Sequence, residues 1–233
     1  MSVDKAIFTP VKGKRAFEEV SSKIKALIIE GVLKSGDKLP PEGELGKQFN
    51  VGRQTIREAL RILELSGFIT VQQGFGGGPV VKNTISRKLS DLILDAFQMK
   101  EISVEEFTAA RLVIEKAILN DAIDNADDQD IEDLQENIAK AKDLLARKQI
   151  ATDPNFEFHS LLARASKNSV FVILERTINA IHHKLRSQKT ADFKTSKAAV
   201  LAHEKLLDAI IKKEREKAIN LLDQHVLAVR KSY

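Results

Sequence analysis

The chain has 233 residues, of which 43% are hydrophobic, with 11 Gly, 5 Pro and no Cys. This composition excludes a disordered or collagen-like chain, and the lack of cysteine excludes disulfides, thiolate metal sites and cysteine nucleophiles. No apolar run reaches the ~18 residues of a membrane-spanning helix, and the first residues lack the apolar core of a signal peptide. We therefore expect a cytoplasmic protein with no membrane partner.

The net charge of +4 is divided unevenly along the chain. Residues 1–88 contain 15 Lys and Arg against 9 Asp and Glu, whereas residues 89–233 contain 22 against 24. The length favours two modest domains, so the positive charge is concentrated in the N-terminal one. Such clustering is typical of domains that bind the phosphate backbone of nucleic acids, although many basic domains use the charge only for solubility.

The N-terminal part predicts three helices followed by a β-hairpin. Apolar residues at helical spacing, Pro40 and Pro41 at a helix start, and Gly67 at a helix end define the helices. The predicted helices span 16–30, 40–49 and 53–66, and the predicted strands span 68–73 and 80–81. This order of elements in so short a segment describes a winged helix-turn-helix.

From residue 84 onward only helical spacing of apolar residues remains, and the sequence predicts seven helices. Ser103 with Glu106 can form a capping box at the start of the second of them. The predicted bounds are 84–98, 103–125, 128–148, 154–166, 169–188, 193–212 and 214–231. The predicted fold is therefore mostly α, with a winged helix-turn-helix domain over residues 1–82 and an all-α antiparallel bundle over residues 83–233.

Three segments of the N-terminal domain carry a specific motif. Residues 36–45 read GDKLPPEGEL, residues 51–60 read VGRQTIREAL, and residues 65–69 read LSGFI. Together they resemble the N-terminal domain of GntR-type bacterial transcription regulators. The resemblance implies a DNA-binding regulator, and we expect a homodimer on a palindromic operator because a single winged helix reads too few base pairs.

The third predicted helix is the candidate recognition helix, because one face is apolar and the rest is polar. Its candidate DNA-reading residues are Arg53, Gln54, Thr55 and Arg57. Arginine can donate two hydrogen bonds to guanine, glutamine can pair with adenine, and threonine can donate to a phosphate. The resemblance adds Gln73 and Gly74 of the wing, and it shows a departure at Gly43, where the family often has Arg. The alternative is that these arginines are only solvated surface charges.

Three histidine-containing segments in the C-terminal part form a second motif. Phe158-His159, Ala202-His203 and Gln224-His225 resemble the FCD domain, the ligand-binding bundle of the FadR subgroup. Metal-containing members bind a divalent ion through one Asp and three His. The corresponding residues here are Asn155, His159, His203 and His225.

Three neutral imidazoles suit zinc or nickel, but Asn155 lacks the charge of Asp, so we expect weaker binding of the metal. The alternative is that each His is a hydrogen-bonded core residue. The adjacent His182 and His183 are interpreted as structural or surface residues.

Arg111 and Glu115 are four residues apart on one predicted helix. In the family a helix at this place often contributes an Arg that clamps a carboxylate, which implies a small-molecule carboxylate effector. The alternative is a surface ion pair. We expect the effector to relieve repression.

Two other classes of function are alternatives to a transcription regulator. They are a metal-dependent hydrolase that carries a DNA-binding domain and an architectural DNA-binding protein without a ligand. The sequence has no HExxH, P-loop or GxSxG motif, which argues against an enzyme. An architectural protein would need neither a ligand pocket nor the histidines.

Overall fold

The computed structural model describes residues 15–72, 74, 77–186 and 192–230. The chain divides into two compact units between Lys88 and Leu89. This division lies inside a helix, α4 (Ile85–Gln98), whereas the sequence places the domain boundary just before that helix, at residue 82. In the described residues no helix is long and apolar enough to cross a membrane.

In the described residues, the first unit contains three complete helices and a two-stranded antiparallel sheet. The elements are α1 (Ala16–Ile29), α2 (Glu42–Phe49), α3 (Arg53–Leu65), β1 (Ile69–Gln72) and β2 (Gly78–Val81). Ile69 pairs with Val81 and Gln72 pairs with Gly78, so the two strands are antiparallel over their whole length. Apolar residues from all five elements form one core, to which α3 contributes Ile56, Leu60 and Leu63.

The turn between α2 and α3 fixes the position of α3. Asn50 adopts the left-handed conformation, with φ of 53°, and its N–H donates to carbonyls of the last turn of α2. A Cβ atom at Gly46 would lie 2.9 Å from the carbonyl oxygen of Val51. Only glycine therefore allows the chain to turn this closely against α2.

The second unit is a helical bundle, which together with the winged first unit confirms the predicted fold class. In the described residues its helices are α4 (Ile85–Gln98), α5 (Val104–Asn125), α6 (Asp128–Ala146), α7 (Thr152–Ala165), α8 (Ser169–Arg186), α9 (Phe193–Ile211) and α10 (Arg215–Arg230). The capping box of Ser103 and Glu106 starts α5, as predicted. A core around Leu119, Phe158 and Leu206 joins α5, α7 and α9.

Lysines end four of the bundle helices. No glycine follows residue 78 in the sequence, and the left-handed residue after α4, α6, α7 and α9 is a lysine, with φ between 55° and 60°. After α6, the N–H of Lys148 donates to the carbonyl of Leu145, and the N–H of Gln149 donates to the carbonyl of Leu144. This is the Schellman pattern that usually contains glycine.

Candidate functional sites

The exposed face of α3 carries the predicted DNA-reading residues. Arg53, Gln54 and Arg57 are exposed and Thr55 is half-buried, while the opposite face of α3 packs into the core. The helix begins after Gly52, whose extended backbone leaves the N-terminal turn at the surface. In the wing, Gly74 has a φ of 101°, and Gln73 lies outside the described residues.

Arg57 forms an ion pair with the first turn of α2. Its Nε lies 2.8 Å from Oε2 of Glu42, and the side chains are 62% and 34% exposed. An exposed pair of this kind contributes at most about 1 kcal/mol to stability. The ion pair orients the Arg57 side chain but is weak, so Arg57 can leave Glu42 and bind another acceptor.

Arg53 lies over the backbone of Gly43, a contact that the sequence does not reveal. A Cβ atom at Gly43 would be 3.2 Å from Nη2 of Arg53. The Arg53 guanidinium thus lies over residue 43, where this sequence has Gly and the family often has Arg. Any side chain at residue 43 would displace Arg53.

Three histidines from three helices meet in the interior of the bundle. Nε2 of His225 on α10 lies 3.2 Å from Nε2 of His159 on α7 and 3.2 Å from Nε2 of His203 on α9. All three side chains are buried. Two nitrogens bound to one tetrahedral zinc ion at 2.0–2.1 Å are about 3.3 Å apart. The three imidazoles can therefore share one ion.

The surroundings keep two of these imidazoles uncharged. Burial, followed by the neighbouring histidines, lowers the pKa of His225 to about 3 and the pKa of His203 well below its ordinary value. The ring of His203 stacks on Phe158, with centroids 4.2 Å apart and planes 6° apart. Neutral, oriented imidazoles are the form that binds metal ions.

Glu115 sets the tautomer of the third imidazole. Its Oε2 lies 3.1 Å from Nδ1 of His159, without the angle of a full hydrogen bond. A carboxylate here favours the proton on Nδ1 and leaves the lone pair on Nε2, which faces the other histidines. The donor set thus fits a divalent ion.

Asn155 lies one turn before His159 on α7. Its amide nitrogen donates to Oγ of Ser196 at 3.4 Å. Its Oδ1 is buried and has no hydrogen-bond partner among the described residues. This oxygen is a neutral acceptor that a metal ion or its bound water could use.

Arg111 and Glu115 are buried together, so the alternative of a surface ion pair is wrong. They are 2% and 1% exposed. Arg111 Nε donates to Glu115 Oε1, and Arg111 Nη1 lies 3.1 Å from Nδ1 of His182. Burial alone would raise the pKa of Glu115, but the charge of Arg111 and the contact with His159 outweigh it and hold that pKa below its ordinary value.

Two further residues of α8 belong to this polar interior. His182 is buried, whereas His183 is exposed. Glu175 is buried, and burial together with the charge of Glu115 raises its pKa to about 8. Glu175 was not predicted as a site residue, although Glu175 and His182 share one helix face with the apolar Phe171 and Ile178. That helical spacing could have predicted that Glu175 faces the interior of the bundle.

Comparison with known proteins assigns both units. Residues 16–77 match the family described as "Bacterial regulatory proteins, gntR family", and residues 106–228 match the FCD domain. The chain belongs to the GntR family of regulators and has an FCD domain. The expected FadR-like subgroup is thereby confirmed.

Named relatives agree with this membership. The "Uxu operon transcriptional regulator" of Escherichia coli is 29% identical, over 93% of this chain and 86% of that protein. The "HTH-type transcriptional repressor NanR" of an Enterobacter species is 25% identical, over 94% and 86%. The solved structure of Streptococcus agalactiae GntR has a TM-score of 0.69 and 26% identity, covering 93% of this chain and 100% of that one.

The GntR and FCD domains together define a ligand-responsive, DNA-binding transcription regulator, as the sequence predicts. Since the relatives are transcription regulators, the hydrolase alternative is rejected. An FCD domain implies a small-molecule effector, and its buried cluster of histidines and Glu115 could hold a metal ion.

Proposed function

We propose that this GntR regulator is a homodimeric repressor that binds a palindromic operator and releases it when a small carboxylate binds at a metal ion in the FCD domain. The observation that carries the proposal is the meeting of His159, His203 and His225, with Nε2 atoms 3.2 Å apart in two of the pairs. Each Nε2 offers either one proton or one lone pair, so hydrogen bonds alone cannot pair all three atoms, whereas one shared ion would bind all three lone pairs.

Zinc or nickel is the ion that these ligands favour. His159, His203 and His225 would hold it, and Oδ1 of Asn155 would be a weak fourth ligand or accept a hydrogen bond from a bound water. When bound, such an ion supplies an open coordination position for a carboxylate. Glu115 orients His159, and Arg111 holds Glu115 in place, so these two residues of the proposed effector site act on the ligand chiefly through His159.

Metal analysis tests the centre directly. Protein purified without chelator should contain close to one zinc or nickel per chain, and the stripped protein should take up zinc with micromolar affinity or better. His203→Ala should abolish this uptake, whereas His183→Ala, which changes an exposed histidine, should leave it intact. A stripped protein that takes up no ion would remove the metal from the proposal.

DNA binding is tested with sequences selected from random duplexes by the full chain. We expect a palindromic consensus, and we expect sedimentation to give a dimer. Arg53→Ala and Arg57→Ala should each lose about 1–3 kcal/mol of specific binding, and Gln54 and Thr55 variants should lose less. Arg176→Ala, on the exposed face of α8, is the matched control. Equal affinity for all sequences at physiological salt would contradict the proposal.

A further inference from the structure

A groove between α9 and α10 connects the surface of the bundle with its histidines. It has a volume of about 610 Å³, which is in the range of small-molecule sites. The small side chains of Ala198, Ala202 and Ala228 line it and leave it wide, and Ala198 and Ala228 are exposed to solvent. His225 also lines the groove. The groove therefore reaches from solvent to one of the candidate metal ligands.

His225 belongs both to the groove and to the cluster that it forms with His159 and His203. Its Nε2 lies 3.2 Å from the Nε2 atom of each of the other two histidines. Its other ring nitrogen, Nδ1, has no hydrogen-bond partner among the described residues. The imidazole thus separates the groove from the place of the proposed ion, and nothing bonded to Nδ1 prevents the ring from turning into the groove.

The groove carries positive charge. Lys194 and Lys205 line it, and no acidic residue does so among the described residues. Glu204 and Asp223, which are adjacent in sequence to lining residues, each form an ion pair with a lysine of another helix. Residues 89–233 as a whole contain 22 Lys and Arg against 24 Asp and Glu, so an anion is attracted to this groove rather than to the domain in general.

We propose that the groove between α9 and α10 is the route by which small anions reach the metal centre. Lys194 and Lys205 attract the anion, and His225 turns aside to admit it. This inference rests on the proposed function, in which a carboxylate binds at the ion. The two lysines at the surface then govern how fast the anion binds, whereas the residues of the interior govern how tightly it is held.

Two chelators of different charge test the route on the zinc-loaded full chain. Dipicolinate is a dianion and 1,10-phenanthroline is neutral, and the absorbance of each zinc chelate reports removal of the ion. The rate should rise with the concentration of either chelator, because the chelator enters before the ion leaves. A rate independent of concentration would overturn the inference and leave the proposed metal centre standing. A full chain that binds no zinc would overturn both.

Charge reversal tests the attraction. Lys194→Glu and Lys205→Glu should each slow removal by dipicolinate about 3-fold or more at low ionic strength, and removal by phenanthroline should change little. The difference should shrink in about 0.5 M salt, which screens the charges. Lys197→Glu, at an exposed position of α9 outside the groove, is the matched control. Removal by dipicolinate at the wild-type rate in both groove variants would contradict the inference.

Filling the groove gives a second readout. Ala228→Phe should slow removal by both chelators at least about 10-fold, because access to the site is narrowed. It should leave the equilibrium affinity for zinc unchanged, since residue 228 is not a ligand. Ala139→Phe, at an exposed position of α6, should alter neither quantity. Removal of zinc from Ala228→Phe at the wild-type rate would show that anions enter elsewhere.

Discussion

Glu115 contacts His159 and Arg111 at the same time. One carboxylate oxygen lies 3.1 Å from Nδ1 of His159, and the other accepts a hydrogen bond from Nε of Arg111. The guanidinium therefore neutralises the carboxylate that sets the tautomer of the imidazole. The family pattern assigns Arg111 and Glu115 to effector binding. In this chain, the same two residues also hold the candidate metal ligand His159 in place.

Glu115→Gln should weaken zinc binding about 10- to 100-fold, since the charge that orients His159 and raises its basicity is lost. The measurement is competition with a chromophoric chelator at a temperature where the variant is folded, because breaking a buried ion pair also destabilises the protein. Glu106→Gln on the exposed cap of α5 is the control. Unchanged affinity in Glu115→Gln would show that His159 is not oriented by this contact.

Asn155→Asp should have opposite effects in the two metal states. A carboxylate supplies a full charge to a divalent ion, so the zinc-bound form should melt at a higher temperature than zinc-bound wild type. The stripped variant should melt lower, because the buried charge has no cation. Asn137→Asp, which places a buried carboxyl beside Glu157, should lower both melting temperatures. A variant that zinc stabilises no better than wild type would exclude residue 155 from the coordination.

Stability of the stripped protein should fall between pH 6.5 and pH 8. Burial and the charge of Glu115 raise the pKa of Glu175 to about 8, whereas an unfolded glutamate titrates near 4.5, so the folded state binds more protons across this window. The stability that the protonated Glu175 supplies is complete below pH 4.5 and is lost as the pH rises through 8. His203 and His225, whose pKa values burial lowers, act in the opposite direction and only below about pH 6.5.

Urea unfolding of wild type and Glu175→Gln measures this dependence. The variant cannot titrate at residue 175, so its unfolding free energy should change much less between pH 6.5 and pH 8. Parallel curves for the two proteins would mean that Glu175 is ionised or paired in the stripped state.

Gly43→Ala should change DNA preference without lowering stability. The new methyl group would lie 3.2 Å from Nη2 of Arg53 and would displace this guanidinium, whose flexible end can move cheaply. Base preferences of selected duplexes should shift at one position of each half-site, and Gly43→Arg should shift them further. In an Arg53→Ala background the Gly43→Ala change should have no effect. A shift that persists in that background would assign the effect to α2 itself.

Lys148→Gly should stabilise the bundle by about 0.5–1 kcal/mol. Lys148 adopts a left-handed φ of 59° at the end of α6, a conformation that costs a non-glycine residue about 1 kcal/mol or more. Lys140→Gly in the interior of the same helix should instead destabilise by about 1 kcal/mol. Thermal unfolding of the two variants compares them directly, and destabilisation by both would show that Lys148 carries no strain.

Local patterns predicted the elements well, because helix starts and apolar stripes are encoded by nearby residues. Ser103 with Glu106 marked the start of α5, and Ile56, Leu60 and Leu63 marked the buried face of α3. The ends of α4, α5, α6, α7 and α9 were predicted within two residues, although a lysine replaces the usual glycine after four of them. The predicted ends of α8 and α10, at residues 188 and 231, lie outside the described residues.

Less of the site could be predicted from the sequence, because its contacts join residues that are far apart in the chain. The spacing of Asn155 and His159 indicates one helix face, but whether His203 and His225 reach it depends on how α9 and α10 pack. The resemblance to the FCD domain predicted that His203 and His225 reach this face. Nothing local connects Arg53 with Gly43 or Glu175 with Glu115, and both contacts needed the folded chain.

An ion bound by the three histidines would also affect how long the protein survives in the cell. His159 and His225 are 66 positions apart, and His203 and His225 are 22 apart. An ion on these side chains would tie α7, α9 and α10 together as a reversible cross-link in a chain that has no cysteine to form a permanent one. Resistance to proteolysis would then follow the supply of the ion, and the abundance of the regulator would itself report on metal availability.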